Sequence, residues 1–330
     1  MTLLIGILGA SDIAPSVILR PASLRDDVRV VAVGSRRAEK ASDYAAKWGI
    51  PRSYGSYQEV IDDPEVQLVY NALPPSEHAS WSIAALEAGK DVLCEKPFAM
   101  NAEQARDMNA VAVRTGKRLI EAFHDRYHPL SLELDRIKES GRLGDIVSLR
   151  AVFDAPIPYE EGALRHTPSL GGGALMDLGC YVVHWVRALV GEEPTFTEAS
   201  MVLNPLGADR SFTATGRFPS GIDVTLSASM DVESVSSTFE IVGTEGTVHV
   251  ENMIFPSAGH SITEQVGDLV KHRTVAGMET YDHQLAAVIA ALASGESLPT
   301  EGEDSIGNMA VIDAIYRAAG VDRTDFATSQ

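Results

Sequence analysis

Leu3-Leu4-Ile5-Gly6-Ile7-Leu8-Gly9-Ala10-Ser11-Asp12-Ile13-Ala14 is the stretch whose reading decides the fold. Leu3–Leu8 is an unbroken apolar run, the pattern of a strand buried on both faces of a parallel sheet. A glycine follows at once, and a helical segment opens after Ala14. The dinucleotide-binding fingerprint G-x-G-x-x-G/A asks for a glycine at the tight turn, a second where backbone meets pyrophosphate, and a small third residue where helix packs on strand. Gly9 and Ala14 satisfy the first and third positions, and Ser11 replaces the second glycine with a hydroxyl able to donate to a phosphate oxygen. Gly9, Ser11, Asp12, Ile13 and Ala14 are therefore candidate cofactor contacts.

Outward from this turn, short apolar runs alternate with helical patterns: Val28–Val33, Val66–Ala72, Asp91–Cys94 and Arg118–Ala122, with helices expected over Ser76–Ala88 and Asn101–Thr115. This alternation predicts an α/β fold, a doubly wound parallel Rossmann sheet over residues 1–122. Past Ala122 the period changes. A helix is expected over Pro129–Ser140. Period-two segments follow at Ile146–Asp154, Phe196–Leu203, Ser211–Phe218, Ile222–Met230, Val235–Val242 and Thr247–Glu251. A helix over Gly173–Val190 interrupts them, and helices near Tyr281–Ser294 and Ser305–Ala319 close the chain. Residues 123–330 thus read as an α+β domain with a large, mostly antiparallel, open-faced sheet, for substrate binding and oligomerisation.

The second apolar run ends in Gly34-Ser35-Arg36-Arg37. An acid about 20 positions past the glycines selects NAD by binding the ribose hydroxyl, whereas arginine there accommodates a 2′-phosphate. Ser35, Arg36 and Arg37 occupy that place, and the next acid, Glu39, already lies in the following helix. The expectation is NADP rather than NAD. Two later strand ends face the ligand side of such a sheet. One carries Asn71, Leu73, Pro74 and His78; the other carries Cys94-Glu95-Lys96-Pro97, which makes Glu95 and Lys96 candidates beside the cofactor. Asn101-Ala102-Glu103-Gln104 reads as an N-cap with a capping-box glutamine.

The 330 residues suit two domains. A net charge of −19 disfavours nucleic acid and anionic membranes as partners. Cys94 and Cys180 form neither a disulfide framework nor a metal spacing, so no metal is expected and a reducing, cytoplasmic setting fits. The N-terminus lacks a signal-peptide pattern, and no membrane span is expected.

Glu95-Lys96-Pro97, the glycine fingerprint, Glu121-Ala122-Phe123-His124-Asp125-Arg126-Tyr127-His128-Pro129 and Gly171-Gly172-Gly173-Ala174-Leu175-Met176-Asp177-Leu178-Gly179-Cys180-Tyr181 together resemble the Gfo/Idh/MocA oxidoreductase family over essentially the whole chain. The resemblance is greatest to the branch of glucose–fructose oxidoreductase, dimeric dihydrodiol dehydrogenase and NADP-dependent D-xylose dehydrogenase. It implies hydride transfer between nicotinamide and a hydroxyl-bearing carbon of a sugar or cyclic polyol, and a homodimer or homotetramer. Many members carry histidine four residues after the aspartate; this chain has Tyr181, as in that branch.

Helical spacing supports the same region. Leu175, Leu178, Val182, Val186 and Leu189 form a core stripe, while Asp177, Tyr181 and His184 share another face. Tyr181 is expected as general acid/base with Lys96 near it, since a close ammonium favours phenolate. Asp177 would orient substrate or Lys96, and His184 is the rival base. Arg126, His128, Arg165 and His166 are further substrate-side candidates. Alternatives are a trans-dihydrodiol dehydrogenase, a glycosidase using tightly bound NAD, and a non-catalytic nucleotide-binding sensor.

Overall fold

The computed structural model describes residues 2–323. The described residues divide into two compact units, residues 2–124 with 281–306, and residues 125–280 with 307–323.

The first unit holds a six-stranded parallel sheet in the order β3-β2-β1-β4-β5-β6. Its strands are β1 (Leu3–Leu8), β2 (Val28–Gly34), β3 (Arg52–Tyr54), β4 (Leu68–Asn71), β5 (Asp91–Cys94) and β6 (Leu119–Glu121). The order reverses between β1 and β4, which creates the crevice where doubly wound sheets bind ligands. Ile5, Ile7, Leu68, Tyr70 and Leu93 are wholly buried in the core. After β1 the chain enters a π-helical turn, Pro15–Leu19, that continues as α1 (Arg20–Ser23). Then come α2 (Ala38–Trp48), α3 (Tyr57–Asp62), α4 (Pro75–Glu87) and α5 (Ala102–Thr115). The Asn101 side chain accepts from the Gln104 N–H at 2.9 Å, and Gln104 Oε1 accepts from Met100 N–H at 3.1 Å. Helix α5 is thus capped much as its sequence suggests, the glutamine reaching one residue further back than a standard capping box.

The second unit is built on an eight-stranded sheet ordered β14-β13-β12-β11-β7-β10-β9-β8. The strands are β7 (Ile146–Asp154), β8 (Thr195–Leu203), β9 (Asp209–Arg217), β10 (Asp223–Ser229), β11 (Ser236–Gly243), β12 (Gly246–Glu251), β13 (Ser261–Val266) and β14 (Leu269–Arg273). Only β7 and β10 pair in parallel; every other neighbouring pair is antiparallel. One face, with Leu149, Ala151, Phe153, Phe212, Leu226, Phe239 and Ile241, is buried. Its helices are α6 (Pro129–Glu139), α7 (Cys180–Val190) and most of α9 (Glu303–Ala318), whereas α8 (Thr280–Ser294) lies in the first unit from Tyr281 onward. Pro168–Val190 is long and apolar enough to cross a bilayer, with mean hydropathy 1.2, but 83% of that window is buried within the fold. It is a core helix.

Three differences from the sequence reading have local causes. Strand β3 is only three residues long and carries Arg52 and Ser53, so no apolar run announces it. Strands β13 and β14 lie at the sheet edge, where β14 is almost wholly exposed and needs no apolar alternation. The expected helix over Gly173–Val190 begins as a π-helical turn, Leu175–Gly179, before α7. The domain boundary also differs: Tyr281–Ile306 belongs with the first unit, because Leu285 and Val288 complete the core around Ile5, Ile7 and Val17.

Candidate active site

The nucleotide end of the first unit is set by Gly9, whose φ of +95° few other residues adopt. Ser11 Oγ accepts from the Ala14 N–H at 3.3 Å, so the serine caps the turn locally. Tyr44 donates its hydroxyl to the Ser11 carbonyl at 3.0 Å, and burial pushes the Tyr44 phenol up to about 12. Asp12 and Ile13 are exposed at the tip.

At the end of β2, Ser35 is buried and its Oγ accepts from the Arg37 N–H at 3.4 Å. Arg36 and Arg37 are exposed. Arg36 Nη1 lies 3.3 Å from Glu77 Oε1, on the first turn of α4. These two guanidinium groups, a hydroxyl and a glycine turn at the carboxyl ends of adjacent strands form a donor set that fits a phosphorylated dinucleotide.

The β4–α4 junction is built on buried polar side chains. Asn71 is wholly buried; its amide donates to Ser82 Oγ (3.1 Å) and the His78 carbonyl (3.3 Å), and its Oδ1 accepts from Leu73 N–H. His78 is also wholly buried, with Nε2 2.8 Å from the Leu73 carbonyl and Nδ1 3.0 Å from the Pro97 carbonyl. Both side chains brace the junction. Leu73 is buried as well, and Pro74 precedes the helix. Burial pushes the His78 imidazole down to about 4.

The Glu95-Lys96-Pro97 loop follows β5. Tyr70 donates its hydroxyl to Glu95 Oε1 at 2.6 Å, and the Lys96 N–H donates to Glu95 Oε2 at 3.2 Å. Glu95 therefore fixes the backbone that carries Lys96. The Lys96 ammonium is felt by two buried imidazoles. His124 is pushed down to about 3, by burial first and Lys96 second, and Lys96 is a minor cause at His78. His124 packs on Tyr281, ring centroids 4.2 Å apart. His124 belongs to the Glu121–Pro129 stretch that carries the resemblance, but its packing partner lies in a segment remote along the chain.

In the second unit, the glycine run ends in the π-helical turn. Gly173 has φ +130°, and a Cβ there would sit 2.2 Å from Asp209 Oδ1. Asp209 is buried; its carboxylate accepts the Leu175 N–H and the Tyr316 hydroxyl, each at 2.7 Å. That carboxylate anchors the start of the helix, a role invisible without the fold. Asp177 ion-pairs with Arg165 at 2.9 Å, uniting two separate sequence candidates. Tyr181 is 5% exposed, its ring edge-on to Phe153 at 5.7 Å.

His184 is 1% exposed and lies beside buried Asp125. Trp185 Nε1 donates to Asp125 Oδ2 at 2.5 Å, and burial holds that carboxyl above its usual range despite the indole and His184. The polar face expected along α7 is therefore enclosed rather than open, and His184 and Trp185 border a small cavity with Arg126, Asp135 and Phe239. Arg126 Nη1 donates to Asp135 Oδ2 (2.8 Å) and Ser131 Oγ (3.0 Å).

Two further histidine candidates are buried. His128 is buried, and its Nδ1 accepts from the Leu130 N–H to cap α6. His166 is buried against the Pro158 carbonyl at 2.9 Å. Both hold backbone in place.

A parallel sheet with a glycine turn at its switch point, joined in one chain to a mostly antiparallel sheet, is the architecture of a dinucleotide-binding protein with a second domain. Residues 3–123 match the oxidoreductase family with an NAD-binding Rossmann fold, and residues 131–249 match the GFO/IDH/MocA C-terminal domain. The chain is 30% identical to D-xylose 1-dehydrogenase (NADP(+)) 2 of Haloferax volcanii, over 96% of this chain and 97% of that one. It is 36% identical to trans-1,2-dihydrobenzene-1,2-diol dehydrogenase of Danio rerio, over 67% and 66%. It superposes on KijD10, a 3-ketoreductase from Actinomadura kijaniata solved with NADP and TDP-benzene, with TM-score 0.89 and 26% identity, covering 96% of this chain and 98% of that one. This chain belongs to the Gfo/Idh/MocA oxidoreductase family.

Proposed function

We propose that the chain is an NADP-preferring dehydrogenase or reductase acting at a hydroxyl-bearing carbon of a sugar or cyclic polyol. The observation that carries this reading is the carboxyl end of β2, where Ser35, Arg36 and Arg37 stand and no acid follows before Glu39. Arginine's planar fork matches phosphate oxygens and offers nothing comparable to a ribose hydroxyl.

The nicotinamide, when bound, supplies or accepts the hydride. Tyr181 handles the proton: its phenol protonates the carbonyl oxygen in reduction, and its phenolate takes the hydroxyl proton in oxidation. Lys96 supports it with a positive charge, on a backbone fixed by Glu95 and Tyr70. Asp177, held by Arg165, orients the substrate. Support comes from the 3-ketoreductase, whose solved forms include tyrosine-to-phenylalanine and lysine-to-alanine variants. The substrate class rests on relatives that act on D-xylose and on dihydrodiols. The dihydrodiol relative is 36% identical, so a trans-dihydrodiol is the second reading.

The test is purified protein with NADP or NAD and a panel of aldoses, cyclic polyols and trans-dihydrodiols, followed by absorbance of reduced nicotinamide. Turnover with a sugar or polyol and preference for NADP is the expected result. Turnover confined to dihydrodiols would move the assignment to the second reading, and a preference for NAD would overturn the assignment at β2.

A further inference from the structure

The residue that pairs with Arg36 is a carboxylate, and it is better fixed than the arginine. The Arg36 side chain is 73% exposed, whereas that of Glu77 is 16% exposed. Glu77 Oε1 faces Arg36 Nη1 at 3.3 Å, and Glu77 Oε2 accepts from Trp81 Nε1 at 2.9 Å, one helical turn further along α4. The Trp81 ring stands edge-on to Tyr57, centroids 5.1 Å apart at 82°, and Tyr57 is itself buried in α3. Glu77 also lies in the first turn of its helix, where the helix dipole favours an anion. The carboxylate is therefore held from three sides: by indole, by helix terminus and by guanidinium.

An acid at the end of β2 is the usual means of binding the adenine ribose of NAD. This chain has none there in sequence, yet α4 delivers one to the same arginine in space. We propose that Glu77 sets the strength of the cofactor preference. It holds Arg36 in an internal ion pair that a 2′-phosphate must break or share, and it offers an acceptor to an unphosphorylated ribose. The inference rests on the NADP reading above. A phosphomonoester carries about −1.5 to −2 charges at neutral pH, so its approach to Arg36 brings it against Glu77. An unphosphorylated ribose brings hydroxyl donors and no charge. Glu77 thus weakens NADP and assists NAD, and the chain retains use of both.

Glu77→Gln tests this. The amide oxygen still accepts the Trp81 N–H, and the volume is unchanged, but the charge is gone. Dissociation constants of NADP and NAD are measured by calorimetry for the natural protein and the variant, with no substrate present. The expected outcome is a rise of about five- to tenfold in the preference for NADP, from tighter NADP and weaker NAD together. Adding Glu77→Gln to Arg36→Met should change NADP affinity less than adding it to the natural protein, because the ion pair is already gone. An unchanged preference, or weaker NADP binding in Glu77→Gln, would overturn the proposal while leaving the NADP reading standing. If the natural protein binds neither cofactor, both fall together. Should Glu77→Gln fail to fold, Glu77→Met, uncharged and of similar size, is measured in its place with the same expectation.

Discussion

His78 joins two carbonyls that belong to different loops, Leu73 after β4 and Pro97 after β5. A neutral imidazole has a single N–H, so it donates to one of them at a time, and a second proton would satisfy both. Burial opposes that second proton, and the balance leaves the imidazole at about 4, down from 6.5. In the unfolded chain His78 protonates around pH 6.5, and in the folded chain only near 4. Its contribution to stability is therefore complete above about pH 6.5 and is lost progressively as the pH falls toward 4. At about pH 5 the unfolded state has gained roughly 1.5 pH units of proton binding that the folded state has not, which is about 2 kcal/mol. His124, held near 3, acts in the same direction, so the His78 part must be isolated by difference. The perturbation is His78→Gln, which retains one donor and does not titrate. The assay is urea unfolding at several pH values between about 7.5 and 5, read by tryptophan fluorescence with Trp185 replaced by phenylalanine so that Trp48 and Trp81 report the first unit. The stability gap between parent and variant should narrow by about 2 kcal/mol toward the lower pH. A gap that stays constant over that range would refute the reasoning and mean that His78 takes up its proton alike in the folded and unfolded chain, and a gap that widens would mean that the fold favours its cation.

Tyr181→Phe should lower turnover by about 10²- to 10⁴-fold while leaving cofactor affinity nearly intact, since Phe keeps the ring contact with Phe153; steady-state kinetics with cofactor titration checks both. Arg36→Glu should reverse the preference, weakening NADP by about tenfold or more with little loss of NAD affinity, and paired binding measurements decide it. Gly173→Ala should destabilise the second unit by about 3 kcal/mol, because its φ of +130° and the 2.2 Å approach to Asp209 leave no room for a methyl group; urea unfolding followed at Trp185 would show it.

The parallel sheet was legible because strands buried on both faces must be apolar throughout, and Leu3–Leu8 and Val28–Gly34 are nearly so. Strands β7 and β9 to β12 were legible because one buried face imposes alternation. Strand β14 escaped because an exposed edge imposes neither. The candidate site was less legible. Side-chain type alone does not reveal which backbone groups a histidine holds, so the buried hydrogen bonds of His78, His128 and His166 were not legible. Helical spacing placed Asp177, Tyr181 and His184 on one face, but a π-helical turn changes the phase within that stretch. Glu77 and Asp209 were missed because each acts on a residue distant in sequence, Arg36 for the first and Leu175 and Tyr316 for the second.

The discontinuity of the first unit bears on how the molecule comes to be made. Translation delivers β1 to β6 early, but Leu285 and Val288, which fill the core against Ile5 and Ile7, leave the ribosome only after the whole of the intervening sheet has been synthesised. During that interval the nascent Rossmann sheet carries an uncovered apolar surface, the kind that chaperones engage and that drives self-association. The cofactor fold is thus completed by a late segment, and a fragment ending near residue 124 would lack the side chains that close its core. Exchange of nucleotide domains between relatives at that single junction would separate the sheet from part of its own interior, so a functional graft must carry residues 281–306 as well.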